Sequence, residues 1–324
     1  MLKYIMKRIF LMIPVLFGVY FIVFTLTYIA PGDPVVGILG SDYTEEQYQE
    51  TVKELGLDQP FFVQFFRRFK GVVTEFDLGI SYQSKRPVAE EVLERFPVTL
   101  KLGFLGVLFS IVVGLPAGIL SATKQYSLVD YSVTSLTVLF SALPNFWLGL
   151  MLMLVFSLRL GWLPASGVDS WKAWIMPMIV NGISPVCIIT RLVRSSMLDV
   201  IRQDYIHTAR SKGLSEGVII RKHALKNALL PVITSIGVQM GTVLGGSVIT
   251  ESIFAIPGVG SLLVSAISNL NYPTILGCVF FLCIAICILN LIVDVAYAYI
   301  DPRIKAQYVS GSSRKLRFRQ KEVG

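Results

Sequence analysis

Residues 98–121 read VTLKLGFLGVLFSIVVGLPAGILS, a run whose single charged side chain is Lys101, near its start. About 20 apolar residues in an α-helix, rising about 1.5 Å each, span the ~30 Å of bilayer hydrocarbon. This run is long enough to cross. Five others share its character, at 9–30, 131–158, 173–193, 229–250 and 274–298. The one at 173–193 is the weakest, because Pro177, Asn181 and Pro185 interrupt it. Such breaks survive at membrane depth where the freed backbone groups face protein or water. The expectation is an all-α polytopic membrane protein with six transmembrane helices.

Composition excludes a soluble globular class. Of the 324 residues, 54% are apolar and only 15% charged, and the mean hydropathy is +0.66. A soluble domain of this size needs more charged surface. Lys3, Lys7 and Arg8 precede the first run as they would precede a signal peptide. That run is longer than the usual 7–15 residues of a cleaved signal, and Ala30 leads straight into Pro31, so an uncleaved helix is expected.

Orientation follows from Lys and Arg. With a cytoplasmic N-terminus, the inside segments collect Lys3, Lys7, Arg8, Lys124, the cluster from Arg191 to Lys226 and the tail from Arg303 to Lys321, nineteen of the 29 basic residues. Both termini are then cytoplasmic. Trp162, Trp171 and Trp174 fall at the outer interface, and Tyr126 and Tyr131 at the inner one. The net charge of +8 is explained by anionic membrane lipid and cytoplasmic partners, without nucleic acid. Cys187, Cys278, Cys283 and Cys287 all lie within the apolar runs, so neither a disulfide framework nor a metal site is indicated.

The chain divides into a first helix (1–30), an extracytoplasmic segment (31–97), a five-helix core (98–300) and a basic tail (301–324). In the segment, Thr44-Glu45-Glu46-Gln47 forms a capping box and Gly56 a stop, giving a helix near 44–55. Asp58 can cap a second helix carrying Phe61, Phe62, Phe65, Phe66 and Phe69. These rings either dock an external partner or pack on the membrane and the outer helix ends. The core contains a cytoplasmic loop at 194–228, read as two amphipathic helices hinged at Gly213-Leu214-Ser215. It is longer than a tether between spans requires.

No nucleotide-binding G-x-x-x-x-G-K-[ST] loop is present, and the two histidines, His207 and His223, lie alone in the loop. No cofactor, catalytic or metal-ligating set is indicated. A secondary transporter places ionisable groups near the midplane, whereas Asp130, Glu251 and Asp294 fall near predicted helix ends. Asn145, Gln239 and Thr242 are the candidate lining of a translocation path. Gly237, Gly241 and Gly245 lie four apart, a stripe that admits a close helix neighbour from this chain or another.

The loop sequences Tyr205-Ile206-His207-Thr208-Ala209-Arg210-Ser211-Lys212-Gly213 and Arg221-Lys222-His223-Ala224-Leu225-Lys226-Asn227-Ala228 resemble the cytoplasmic loop of binding-protein-dependent ABC importer permeases. That family's pattern is Glu-Ala-Ala, three residues, Gly, and an Ile-x-Leu-Pro end. Ala209, Gly213 and Leu225 match it, while His207, Thr208 and Lys226 depart from it as in the first permease subunit of dipeptide and oligopeptide importers. Ala30-Pro31-Gly32-Asp33-Pro34, Leu55-Gly56-Leu57-Asp58-Gln59-Pro60, Asp77-Leu78-Gly79-Ile80-Ser81, Arg95-Phe96-Pro97-Val98-Thr99-Leu100, Ile256-Pro257-Gly258-Val259-Gly260 and Asp301-Pro302-Arg303 resemble the same subgroup.

The resemblance implies a type I importer permease fold in a bacterial cytoplasmic membrane. It also implies a second homologous permease, two cytoplasmic ATP-binding subunits and an extracytoplasmic substrate-binding lipoprotein. Tyr205, His207, Thr208, Ala209, Lys212, Gly213 and Leu214 would form the loop that couples to an ATPase, with small residues at 209 and 213 permitting close docking. The solute would be a di- or oligopeptide, the alternatives being nickel or another small solute. A self-sufficient secondary transporter is the competing class.

The charge distribution predicts a sidedness that labelling checks. In a cysteine-free background, an impermeant thiol reagent added outside labels a cysteine at Ser84 and spares one at Ser215; the reverse pattern overturns the topology.

Overall fold

The computed structural model describes residues 2–40 and 43–300. The predicted tail at 301–324, with its Asp301-Pro302-Arg303, lies outside them. Among the described residues the chain is helical, and an isolated bridge between Ile80 and Pro87 closes a turn. In chain order the helices are α1 (Leu2–Ile29), α2 (Pro34–Leu39), α3 (Glu45–Leu55), α4 (Phe61–Glu75), α5 (Val88–Thr123), α6 (Leu128–Ala142) and α7 (Asn145–Leu152). There follow α8 (Ile175–Ile201), α9 (Asp204–Ser211), α10 (Glu216–Val218), α11 (Leu225–Ile253), α12 (Val259–Ser268) and α13 (Tyr272–Ile300). A π-helical stretch at Met153–Arg159 extends α7, and another at Ile219–Ala224 joins α10 to α11.

Five helices are long and apolar enough to cross a membrane, and α6 with α7 and its π extension makes a sixth span, bent by 101°. The predicted continuous helix over 131–158 is therefore corrected to a broken one. The break is at Leu143, which is extended (φ −79°, ψ 129°), and Pro144. The proline ring clashes with a helical conformation in the residue before it, which drives Leu143 out of the helix.

The span expected to be weakest is the most enclosed. Helix α8 runs unbroken through Pro185, and 72% of its most apolar window is buried, against 11% for α1. Pro177 is harmless because the first-turn amides of a helix have no intrahelical acceptor. Burial against α5 holds the helix together across Pro185.

A seam of small residues makes that burial possible. Along α5, Gly106, Ser110, Gly114, Gly118 and Ala122 recur every four residues, on one face of a helix, and all face the interior. A Cβ at Gly118 would lie 2.6 Å from the Val193 Cβ and 2.7 Å from the Thr190 carbonyl oxygen. From α8, Gly182 reciprocates: its Cβ would lie 2.6 Å from the Gly106 carbonyl oxygen. The Thr190 hydroxyl donates across the seam to the Gly114 carbonyl at 3.3 Å. Lipid offers no hydrophobic drive between helices, so backbone approach and such hydrogen bonds hold them. Lys101, the charge in the opening run, places its ammonium 4.1 Å from the centre of the Trp174 ring.

The predicted stripe on α11 splits. Gly237 and Gly241 pack on α13, against Val293 and Asn290, whereas nothing approaches Gly245. The neighbour of the first two is internal.

At the far end, the capping box forms as expected. Thr44 accepts from the Gln47 amide, and the Gln47 side chain accepts from the Thr44 amide. Gly56 takes the left-handed conformation that ends α3 (φ +65°). Helix α4 starts after Pro60 rather than at Asp58. Phe61, Phe65 and Phe69 pack on α1 against Phe17, Tyr20, Phe21 and Phe24, while Phe62 and Phe66 point outward. Most of the rings thus serve packing within the chain.

The loop at 194–228 is also shorter than expected. Met197, Val200 and Ile201 belong to the end of α8, Tyr205 lies in α9, and Val218, Ile219, Ile220 and Leu225 lead from α10 into α11. Between α8 and α10 stand α9 and a turn at Gly213 (φ +78°), with Ser215 leading into α10.

The seam predicts a contrast between two glycines. Gly118→Val forces backbone apart and costs about 1–3 kcal/mol or more, whereas Gly245→Val stays within about 0.5 kcal/mol of the parent. Thermal unfolding of the detergent-purified chain checks both.

Candidate functional site

Helix α9 is amphipathic and short. Its inner residues, Ile206 and Ala209, are buried with Val193 and Met197 of α8 and with Ile219, Ala224, Ala228 and Val232 leading into and along α11. Its outer residues, Tyr205, His207 and Thr208, are exposed, as are Lys212, Gly213 and Leu214 beyond it. Ala209 is therefore small because two spans of the same chain close over it. Gly213 is a glycine because of its left-handed φ, and the space around it is open. The Tyr205 hydroxyl accepts from Asn227 at 2.9 Å. Arg210 makes a two-point ion pair with Glu216, at 2.6 and 3.2 Å, across the Gly213 turn. Both partners are exposed, so solvent screens the pair and it contributes little to stability.

Beside this helix the structure brings together residues that sequence reading kept apart. Asp130, expected near a helix end at the membrane interface, is 2% exposed. Arg194 of α8 donates to it from Nε at 2.7 Å and from Nη2 at 2.8 Å. Ser121 Oγ donates to Oδ1, and the Tyr126 amide donates to Oδ2 at 3.0 Å. The carboxylate thus ties the end of α5, the α5–α6 turn and α8 into one unit. A planar guanidinium with a fork of donors suits it where Lys would not.

At the opposite end, Glu251 is fully buried rather than interfacial. Its carboxyl accepts from Ser247 at 3.2 Å and from the Ser261 amide, in the first turn of α12, at 3.1 Å. The Val259 amide donates to Thr99 of α5 at 2.9 Å. Glu251 thereby caps α12 from the preceding helix, where the helix dipole favours an anion. A Cβ at Gly258 would collide with this carboxyl, and one at Gly260 would lie 2.5 Å from the Val248 Cα. The Pro-Gly-Val-Gly spacing follows from that close approach. Asp294 pairs with Arg8 at 3.1 Å, joining α13 to α1.

The three path candidates stand in different surroundings. Asn145 accepts from Ser184 of α8 at 3.3 Å. Gln239 is buried, and its Nε2 has no hydrogen-bond partner among the described residues. Thr242 is exposed, on the side of α11 that includes Val238 and Ile249. Among the described residues no cluster of His, Cys, Asp and Glu could hold a metal ion.

The described helices form a bundle able to span a membrane, with a short amphipathic helix seated on two of them at one end. The chain belongs to the binding-protein-dependent transport system inner membrane component family, whose description matches residues 114–306, with the N-terminal family of the same system matching 1–103. It is 39% identical to the dipeptide transport system permease protein DppB of Alkalihalophilus pseudofirmus, over 94% of this chain and 100% of that one. It is also 39% identical to the glutathione transport system permease protein GsiC of Escherichia coli, over 94% and 99%. Among solved structures, an inward-facing MetNI methionine ABC transporter superposes with a TM-score of 0.53 at 18% identity, over 65% of this chain and 96% of that one. An amino acid ABC transporter superposes with a TM-score of 0.51 at 15% identity, over 66% and 94%.

The protein is a multi-pass permease component of an ABC importer in the bacterial inner membrane, and its family is one of transport proteins rather than enzymes. Membership implies ATP-binding and substrate-binding partners.

Breaking the buried ion pair from one side strands a charge. Arg194→Ala, which leaves the enclosed Asp130 carboxylate unpaired, is expected to cost about 3 kcal/mol or more, and Asp130→Ala less because the Arg194 side chain is 30% exposed; the double variant recovers part of the larger loss. Thermal stability of the solubilised chain reads both, and additive losses would show that the pair is not coupled.

Proposed function

We propose that this permease forms half of a translocation path for di- or oligopeptides, opposite a second, homologous permease. Two cytoplasmic ATP-binding subunits drive the pair, and an extracytoplasmic lipoprotein delivers the solute. The peptide reading rests on the dipeptide and glutathione systems of the relatives. The distribution of basic residues along the sequence supports a cytoplasmic location for both termini, α9 and the tail. The functional division follows: an anchoring helix at 1–30, an extracytoplasmic segment at 31–97, a transport core at 98–300 and a basic tail at 301–324.

One observation supports coupling most directly. The inner face of α9 is fused to α8 and α11 through Ile206 and Ala209, while its outer face is left uncovered by this chain. A displacement imposed on Tyr205, His207, Thr208, Lys212 or Leu214 therefore moves two spans together, because packed interiors transmit strain rather than absorb it. Through Arg194 and Asp130 the same displacement reaches α5 and α6. ATP-driven closure of the partner subunits would rock these spans between inward and outward access. Asn145, Gln239 and Thr242 are the proposed lining of the path, with Asn145 held to α8 by Ser184.

Exposed positions test the coupling role without disturbing the core, which Ala209→Trp would not. Thr208→Trp combined with Leu214→Glu is expected to leave membrane abundance unchanged. Peptide uptake falls about tenfold or more, and substrate no longer stimulates ATP hydrolysis by the reconstituted complex. Full uptake at normal abundance would overturn the assignment.

A further inference from the structure

A cavity of about 740 Å³ lies within the 31–87 segment, where α3 and the polar side of α4 meet the loop at 77–85 and the start of α13. This volume is in the range of small-molecule sites, roughly 300–1,000 Å³. Its floor is apolar, with Val72, Leu78 and Leu276, and its walls hold charges of both signs. Arg67, Arg68 and Lys85 stand among them, as do Glu54 and Asp77. Among the described residues, none of these five side chains forms an ion pair with another. Arg86, next to Lys85 in sequence, is by contrast bound at two points to Glu94 outside the cavity.

Arg68 is the most telling of the five. It is half-buried, it also lines a second cavity of about 490 Å³, and among the described residues its guanidinium has no hydrogen-bond or ion-pair partner. A guanidinium that has lost part of its hydration gains most from an anion presented to its fork of donors. Carboxylates on the same walls, held apart from it, are placed to receive a cation on the same ligand.

We propose that this cavity binds a small zwitterionic ligand, a peptide with free termini, its carboxylate at Arg67 and Arg68 and its ammonium at Glu54 and Asp77. A concave site with an apolar floor and a few polar groups on its walls is the form that small-molecule sites take. The choice of a peptide probe rests on the importer reading above; the binding itself is measured without uptake or ATP, so either can fail alone.

The test uses the full chain in lipid nanodiscs, without partner subunits, titrated with dialanine, N-acetyl-dialanine and dialanine amide. Dialanine is expected to bind, and blocking either terminus to weaken it about tenfold. Arg68→Gln and Asp77→Asn each weaken dialanine by a similar factor, while Arg86→Gln, outside the cavity, leaves it unchanged. An unchanged elution profile and thermal midpoint show that the variants fold. Equal binding of blocked and free peptides overturns the proposal, as does absence of dialanine binding at millimolar concentration, or binding that both cavity variants leave intact. Variants that lose capture of the purified substrate-binding protein but keep dialanine binding would assign the charges to that partner and overturn it as well.

Discussion

Two helices approach until their backbones touch, and the rest of the bundle is arranged around that contact. Where α5 meets α8, a methyl group on Gly118 or Gly182 would collide with the facing helix, and one on Gly114 would fit only if its neighbours gave way. In hydrocarbon the exclusion of apolar surface from water does not drive helices together, so the gain comes from dispersion and short polar contacts at close range. That gain requires the seam to stay in register over several turns. The register fixes Thr190 opposite Gly114 and, at the end of the seam, Arg194 opposite Asp130.

The buried polar groups then act as fasteners at the two ends of the same core. Asp130 binds a turn to α8 at one end, and Glu251 binds a turn to α12 at the other. Each carboxyl is enclosed, and each is surrounded by donors, as a buried polar group must be if it is not to destabilise the fold. Neither requires metal or nucleotide. The chain supplies geometry and leaves the source of energy to its partners.

The spans were legible because length and apolarity suffice to recognise a helix that crosses hydrocarbon. The basic loop was legible as a distinctive segment, and its residues carried the family resemblance. Three things were obscured, each for a physical reason. The break at Leu143 and Pro144 was hidden inside an unbroken apolar run, although the residue before a proline carries a readable signal. The five small residues of α5 recur as regularly as those of α11, but periodicity alone does not say which stripe meets a backbone. Asp130 and Arg194 lie 64 positions apart, and a single sequence contains no record of such a pairing. Ala209 shows the converse: its size was correctly read as a sign of close approach, but the approaching surface is the chain's own.

The broken span also constrains how the protein enters its membrane. Helix α6 has 15 residues, about 22 Å of helix at 1.5 Å per residue, which is too short to cross alone. The part that follows departs at a steep angle, and the bend leaves peptide groups that lipid cannot satisfy. Both α6 and α7 lie against α8, which is synthesised later. During biogenesis the 128–159 stretch therefore follows α5, on which α6 packs, but precedes α8, against which both of its halves lie. The set of contacts around the bend is therefore complete only once Ile175–Ile201 has been made.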